Sequence, residues 1–135
     1  MSPPSTRVLY VDDDRINTLL FVEACRPENS LQVMTAANGE DALEVARKTL
    51  PDVLVVDLHM PDIDGLKLLP HLRSIPGLSQ APAFLCTAEL IEEVRASADA
   101  AGFNGVWAKP VDLRSIQSEL ARVRPARSTD QAEAP

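Results

Sequence analysis

The feature that most constrains this fold is a strict alternation of short apolar runs with stretches of helical period. Five such units follow one another, and their apolar runs are RVLYV (7–11), LQVMT (31–35), VLVV (53–56), AFLC (83–86) and GVWA (105–108). This alternation predicts a parallel sheet with helices on both faces and right-handed crossovers. LQVMT alternates apolar and polar residues, as edge strands do, whereas VLVV is apolar throughout, as central strands are. We therefore predict an α/β fold, a doubly wound five-stranded sheet of flavodoxin-like order 2-1-3-4-5.

The segments between the apolar runs carry the start and stop signals of helices. Asn38 and Asp112 are predicted helix caps, and Gly102 is a predicted helix end. The helix after Asp112 has apolar residues at spacings of three and four, namely Leu113, Ile116, Leu120 and Val123. The predicted organisation is a disordered N-terminus (1–5), one globular domain (6–123) and a polar C-terminal tail (124–135).

The charge balance and the cysteines limit where this chain can act. A formal net charge of -7 is unsuited to binding nucleic acid, because a phosphate backbone requires clustered Lys and Arg. No run reaches the roughly 20 apolar residues of a membrane span. Cys25 and Cys86 form no CxxC motif and suggest buried free thiols in a reducing compartment. We expect a cytoplasmic protein without nucleic-acid or membrane partners.

Polar side chains of complementary chemistry follow four of the predicted strands. Asp12 and Asp13 follow the first strand, Asp57 the third, Thr87 the fourth and Lys109 the fifth. Because strands one and three are neighbours in the predicted order, the three carboxylates should converge at the carboxyl edge of the sheet.

Converging carboxylates need a compensating cation, and oxygen ligands of this kind suit Mg²⁺. An aspartate can also act as a covalent nucleophile toward a phosphoryl group, with a lysine and a hydroxyl stabilising the charged oxygens. Asp14 is then predicted to cap the first helix, and Asp62 and Asp64 are interpreted as solvated loop acids. Gly65 lets that loop turn into the next helix.

The motifs VLYVDDD, VLVVDLHMPDIDG, CTA and WAKP, in this order, resemble those of the response regulator receiver domain, including chemotaxis-type regulators. The resemblance implies two-component or phosphorelay signalling and no enzyme activity. Asp57 would accept a phosphoryl group from a histidine kinase or a histidine phosphotransfer protein. Mg²⁺ or Mn²⁺ would be held by Asp57, by Asp13 directly, by Asp12 through water and by the backbone carbonyl of His59.

The resemblance also assigns residues around this centre. Thr87 and Lys109 would contact the phosphoryl oxygens, and the face formed by helix 4, strand 5 and helix 5 would switch to bind a downstream protein. The side chains of His59 and Glu89 lie where family members tune dephosphorylation. Pro110 suggests a cis bond, as in the family.

One departure concerns the switch aromatic, which many receivers carry three residues before the lysine. This chain has Val106 there, and Trp107 follows it. Because neighbouring strand residues face opposite ways, Trp107 cannot substitute, and core packing is its predicted role.

Several alternatives remain open from the sequence. A receiver-like fold can bind partners without being phosphorylated, and a haloacid dehalogenase-type phosphohydrolase or a flavodoxin-like FMN binder shares parts of the pattern. The chain is interpreted as a stand-alone regulator or the C-terminal receiver of a hybrid histidine kinase, and as a monomer or weak homodimer. Kinase docking is predicted on the first helix near Arg15, Ile16 and Leu19, although Ile16 can equally belong to the core.

Overall fold

The computed structural model of the protein describes residues 6–27 and 30–109. Four sequence predictions lie outside these residues: the disordered N-terminus, the cis bond at Pro110, the helix after Asp112 and the polar tail.

Strands and helices alternate along the described chain as predicted. The strands are β1 (Thr6–Val11), β2 (Leu31–Ala36), β3 (Val53–Asp57), β4 (Ala83–Thr87) and β5 (Gly105–Ala108). The helices are α1 (Arg15–Cys25), α2 (Gly39–Thr49), α3 (Gly65–Arg73) and α4 (Ile91–Ala101). All strand pairs are parallel, in the order β2-β1-β3-β4-β5, which confirms the predicted topology. No helix in the described ranges has the length and apolarity of a membrane span.

The helix ends follow from local chemistry. Asp14 caps α1 by accepting the N–H groups of Ile16 and Asn17, and Asn38 caps α2 by accepting the N–H of Asp41. Gly102 ends α4 with φ 104°, a left-handed conformation that glycine adopts without strain. These caps confirm the predicted ones.

The position of Leu50 differs from the one that its spacing predicts. Its spacing from Ala42 and Ala46 predicts a place on the packing face of α2. In the structure Leu50 is the left-handed residue that ends α2, and it is 44% exposed. The change of backbone hand at the cap turns its side chain away from the face that Ala42 and Ala46 bury.

The sheet separates two apolar clusters. Leu9, Val11, Leu54 and Val56 pack in one cluster together with residues of α2, α3 and α4, whereas the opposite face holds the other cluster, with Phe21 and Cys25 of α1. Both cysteines are buried, as predicted.

Trp107 lies in the cluster on the α1 side of the sheet. It is 5% exposed and stacks on Phe84 with ring centroids 4.8 Å apart. Val106 packs against the opposite cluster. The predicted core role of Trp107 and its orientation opposite to Val106 are therefore confirmed.

The apolar residues of α1 do not all face the core. Phe21 and Cys25 are buried, while Ile16 is 69% exposed and both Leu19 and Leu20 are 55% exposed. The alternative that Ile16 belongs to the core is therefore wrong, and the predicted docking residues are accessible.

Asp62 is exposed in its loop, as the sequence suggests, but Asp62 and Asp64 also pair with backbone N–H groups at the starts of helices. Asp64 is the N-cap of α3 and accepts the N–H of Lys67. Asp62 reaches across to α2, where its two carboxylate oxygens accept the N–H groups of Gly39 at 3.0 Å and Glu40 at 3.1 Å. The loop between β3 and α3 is thereby fastened to the start of α2, because unpaired N–H groups there attract a carboxylate.

Arg73, the last residue of α3, bonds to two other segments of the chain. Its guanidinium donates to the carbonyl of Gly102 at 2.7 Å and to the carbonyl of Ala81 at 2.8 Å. These contacts join the end of α3 to the end of α4 and to the segment that enters β4. Burial lowers the pKa of Arg73 from its usual value.

Candidate functional site

The predicted acidic cluster forms at the carboxyl edge of the sheet. β1 and β3 pair with Val11 opposite Val56. The next residue of each segment, Asp12 after Val11 and Asp57 after Val56, therefore lies beside the other. Asp12, Asp13 and Asp57 each offer an oxygen, and these atoms lie within 4.8 Å of one another. Asp12 and Asp57 are buried, whereas Asp13 is exposed. The sequence therefore predicted the position of this cluster correctly.

Lys109 completes the cluster as its cation. Its ammonium lies 2.8 Å from Oδ1 of Asp57 and 2.9 Å from Oδ2 of Asp12. Burial lowers the pKa of Lys109, but hydrogen bonds to Asp57 and Asp12 outweigh burial and raise it above its usual value. Lys109 is therefore held in its charged form between the two carboxylates.

The carboxyl group of Asp57 has a raised pKa. Burial is the largest cause, and the negative charges of Asp12 and Asp13 add to it, while Lys109 acts in the opposite direction. One ammonium thus leaves the three carboxylates with an excess of negative charge that a bound cation would relieve.

Tyr10 is a contact of this centre that the sequence analysis missed. Its hydroxyl donates to Oδ2 of Asp12 at 2.9 Å, and the ring is 1% exposed. The signal was available, because residues two apart in a strand face the same side of the sheet. Burial raises the pKa of Tyr10 well above its usual range, and the charge of Asp12 and its hydrogen bond to Tyr10 add to it.

Thr87 lies at the end of β4, beside the acidic cluster. Asp57 pairs in register with Cys86, the residue before Thr87, and Thr87 is 1% exposed. Its hydroxyl accepts the N–H of Glu89 at 2.9 Å, and its carbonyl accepts the N–H of Lys109. The side chain of Thr87 is therefore linked to the segment that leads into α4.

His59 and Glu89 meet at the outer side of the site. The Nε2 atom of His59 contacts Oε2 of Glu89, and both side chains are partly or largely exposed to solvent. The two positions that the family resemblance marks as modulating are thus in direct contact. His71, by contrast, is exposed on α3, outside this group.

Gly65 has a steric role beyond the predicted turn. A Cβ atom built at this position would lie 2.4 Å from the carbonyl oxygen of Asp57. The N–H of Gly65 donates to the carbonyl of Leu58 at 2.8 Å. Only glycine permits this close approach of the start of α3 to the backbone that carries the acidic site.

The fold and the site together define a doubly wound, flavodoxin-like protein with an acidic centre at the carboxyl edge of its sheet. Residues 8–121 match the family described as response regulator receiver domain, and the chain belongs to that family. Receiver domains are signalling modules of two-component systems and not enzymes in themselves, although some relatives are fused to enzymes such as protein-glutamate methylesterase. They interact with histidine kinases or phosphotransfer proteins and with downstream partners.

Two relatives of known sequence or structure resemble this chain over most of its length. An uncharacterised 14.6 kDa protein of Leptolyngbya boryana is 37% identical over 78% of this chain and 79% of its own length. The chemotaxis protein CheY4 of Vibrio cholerae is 28% identical with a TM-score of 0.81, over 89% of this chain and 99% of CheY4.

Two further comparisons concern the fold and the length of the chain. The receiver domain of the sensor histidine kinase PA1611 of Pseudomonas aeruginosa, solved with a magnesium ion in its active-site cleft, shares the fold at 24% identity. Its TM-score is 0.78, over 87% of this chain and 96% of that one. The chain spans only 13% to 55% of the length of other curated relatives, among them transcriptional regulators and a sensor histidine kinase.

Proposed function

We propose that this domain is a phosphoacceptor in two-component or phosphorelay signalling and that Asp57 is the residue phosphorylated. The observation that carries the proposal is the contact of Asp57 with Lys109 inside the cluster that also holds Asp12 and Asp13. Such a group joins a nucleophile, a fixed cation and oxygen ligands for a metal in one pocket.

The donor set fits Mg²⁺. Three carboxylate oxygens within 4.8 Å of one another, one of them on an exposed residue, match the preference of this ion for oxygen ligands and bound water. We assign Asp13 and Asp57 as direct ligands, Asp12 as a ligand through water, and the backbone carbonyl of His59 as a further ligand; Mn²⁺ would suit the same oxygens. When bound, the ion neutralises the acidic centre and attracts the phosphoryl group.

In the proposed transfer, a carboxylate oxygen of Asp57 attacks the phosphorus of a phosphohistidine. An O–P bond forms as the P–N bond breaks, and the electron pair of that bond returns to the imidazole nitrogen of the donor. Lys109, already 2.8 Å from Asp57, is placed to contact the oxygens of the transferred group. The hydroxyl of Thr87 is assigned the same role from the neighbouring strand end.

The proposed readout begins at Thr87. Its hydroxyl accepts the N–H of Glu89, so turning toward a phosphoryl group on Asp57 would break this bond and alter the start of α4. The face formed by α4, β5 and the predicted helix after Asp112 would then bind a downstream protein.

We assign the contacting side chains of His59 and Glu89 a modulating role in dephosphorylation. They lie two residues after Asp57 and Thr87 respectively, and together they border the site on its solvent side. A water molecule that attacks the phosphorylated Asp57 would pass this pair.

The setting of the domain is proposed from the same resemblance. A histidine kinase or histidine phosphotransfer protein would supply the phosphoryl group and dock on the exposed residues Arg15, Ile16 and Leu19 of α1. We propose a receiver domain over residues 6–123 with a polar tail after it, acting in the cytoplasm as a monomer or weak homodimer. It would act alone or as the C-terminal receiver of a hybrid kinase.

Intact mass spectrometry tests the proposal. The protein is incubated with Mg²⁺ and a small-molecule phosphodonor, beside Asp57→Asn and a metal-free sample. We expect one phosphoryl adduct that requires both the metal and Asp57. Asp64→Asn is the matched control, because asparagine also caps helices, and it should still form the adduct.

A binding titration with beryllofluoride, a phosphoryl mimic, covers rapid turnover. If the wild-type protein forms no adduct but binds beryllofluoride, the phosphorylated state is short-lived and the proposal stands. If it does neither while folded, the domain binds partners without phosphorylation.

A further inference from the structure

We propose that Tyr10 is a positioning residue for the metal site, because its hydroxyl holds the Asp12 carboxylate in the orientation in which the site binds Mg²⁺. This inference rests on the proposed function, since it assumes that the acidic cluster holds a metal. Tyr10 would act entirely through Asp12 and would touch neither the metal nor the phosphoryl group.

The contact reaches the site from inside the protein. Tyr10 and Asp12 are 1% and 2% exposed, and the hydroxyl donates to Oδ2 of Asp12 at 2.9 Å. An ionised carboxylate has no hydrogen to give, so the phenol must be the donor in this pair. The bond therefore fixes the direction in which the Asp12 carboxylate faces the site.

The carboxylate of Asp12 has three hydrogen-bond or ion-pair partners, and a ligand at the site would compete for only one of them. Oδ1 accepts the backbone N–H of Asp14 at 2.9 Å, and Oδ2 is shared by the hydroxyl of Tyr10 and the ammonium of Lys109. Lys109 also contacts Asp57, so a metal or a phosphoryl group at the centre competes directly for its contacts. When Lys109 turns to a phosphoryl oxygen, Tyr10 is the partner that still holds Oδ2.

The ring of Tyr10 is itself fixed. It stacks on Phe21 of α1 with centroids 4.2 Å apart and an interplanar angle of 11°. Both rings lie in the buried cluster on the α1 side of the sheet. A hydroxyl on an immobilised ring gives its acceptor a defined direction, which is how outer partners orient metal-binding carboxylates.

The expected size of the effect follows from other metal sites. Removing a partner that orients a ligand typically weakens metal binding by about 10-fold to 100-fold. Asp12 keeps the N–H of Asp14, so we expect the lower end, about a tenfold weaker affinity for Mg²⁺ in Tyr10→Phe.

Calorimetric titration with Mg²⁺ measures this affinity without phosphorylation. The full chain is compared with Tyr10→Phe, which keeps the ring and its stacking, and with Phe84→Leu. The latter is the matched control, because Phe84 packs in the same cluster but stacks on Trp107 rather than on Tyr10. We expect both variants to lose some stability and only Tyr10→Phe to lose Mg²⁺ affinity.

Phosphorylation kinetics add a second readout. In Tyr10→Phe the Mg²⁺ concentration for half-maximal adduct formation should rise about tenfold, while the rate at saturating metal stays near that of the wild type. A general loosening of the fold would lower the saturating rate instead. Unchanged Mg²⁺ affinity in Tyr10→Phe, with normal binding by the wild type, overturns the inference and leaves the proposed function standing.

Tyr10 can also be observed without any substitution that risks the fold, because it is the only tyrosine in the chain. The protein is labelled with 3-fluorotyrosine and its single fluorine resonance is followed as Mg²⁺ is added. We expect this resonance to shift as Mg²⁺ is added, and the titration curve should give the same dissociation constant as calorimetry. A resonance that does not shift at saturating Mg²⁺ contradicts the role of Tyr10. If the wild-type protein binds no Mg²⁺ at all, both the proposed function and this inference are overturned.

Discussion

The ammonium of Lys109 lies 2.8 Å from Oδ1 of Asp57. The same nitrogen contacts Asp12, so one fixed positive charge already occupies oxygens of the cluster that we propose for Mg²⁺. Lys109 therefore has two opposing effects: it competes with the metal, and it supplies a cation for the transferred group.

Lys109→Ala separates these two effects. Mg²⁺ should bind roughly threefold to tenfold more tightly, because even a screened unit charge a few ångströms away contributes about 1 kcal/mol. Adduct formation with a phosphodonor should slow by about a hundredfold, the usual cost of removing one stabilising donor. Calorimetry and intact mass measure the two quantities. Lys48→Ala, which removes an exposed lysine paired with Glu44, should change neither; equal or weaker Mg²⁺ binding by Lys109→Ala would contradict the competition.

Asp57→Asn should stabilise the folded protein at neutral pH. Burial, and then the charges of Asp12 and Asp13, raise the pKa of Asp57, so the folded state binds its proton more tightly than the unfolded state does. Ionised Asp57 is therefore destabilising above its folded pKa, and asparagine removes that cost. The gain should shrink as the pH falls through the raised folded pKa and vanish below about pH 4, the unfolded value, where the carboxyl group is protonated in both states.

Urea unfolding at a series of pH values measures this effect, with Asp64→Asn as the control that keeps its helix cap. A lower urea midpoint for Asp57→Asn at pH 7 would show that the ion pair with Lys109 outweighs burial, contrary to our expectation.

Asp62→Ala should cost about 1 kcal/mol of stability, the typical value of a lost helix cap. The N–H of Gly39, and to a smaller extent that of Glu40, lowers the pKa of Asp62. Its contribution is therefore complete above the usual Asp range near pH 4 and disappears as the pH falls through the lowered folded pKa. Glu44→Ala, in the exposed pair with Lys48, should change stability by less than about 0.5 kcal/mol. Equal losses in the two variants would mean that the contact with α2 contributes nothing.

Arg73→Met should destabilise the protein by about 2 to 3 kcal/mol, because the carbonyls of Gly102 and Ala81 both lose a charged donor. Denaturant unfolding measures the loss. Arg95→Met, at an exposed position of α4, is the control and should be nearly neutral. A neutral result for Arg73→Met would show that water replaces the guanidinium without cost.

The sequence predicted the sheet order and the acidic cluster because both depend on local signals. The apolar run before Asp57 identifies a buried strand, and strand order then brings Asp12 beside it. The contacts it missed are those between distant segments: Asp62 and Gly39 are 23 residues apart, and Arg73 and Gly102 are 29 apart. Neither partner of such a pair shows a pattern of its own, because an acid in a loop and an arginine at a helix end are common. Tyr10 is the exception, since strand alternation alone places it beneath Asp12.

The two ends of α4 are restrained unequally. Its last turn runs into Gly102, whose carbonyl accepts a hydrogen bond from Arg73. At its start, Leu90 provides no side-chain cap, and the N–H of the preceding Glu89 donates to the hydroxyl of Thr87. A helix held in this way can tilt about its end at Gly102. A small rotation of Thr87 would therefore displace the start of α4, around Ile91, the most. The displacement of the helix should decrease steadily toward Gly102.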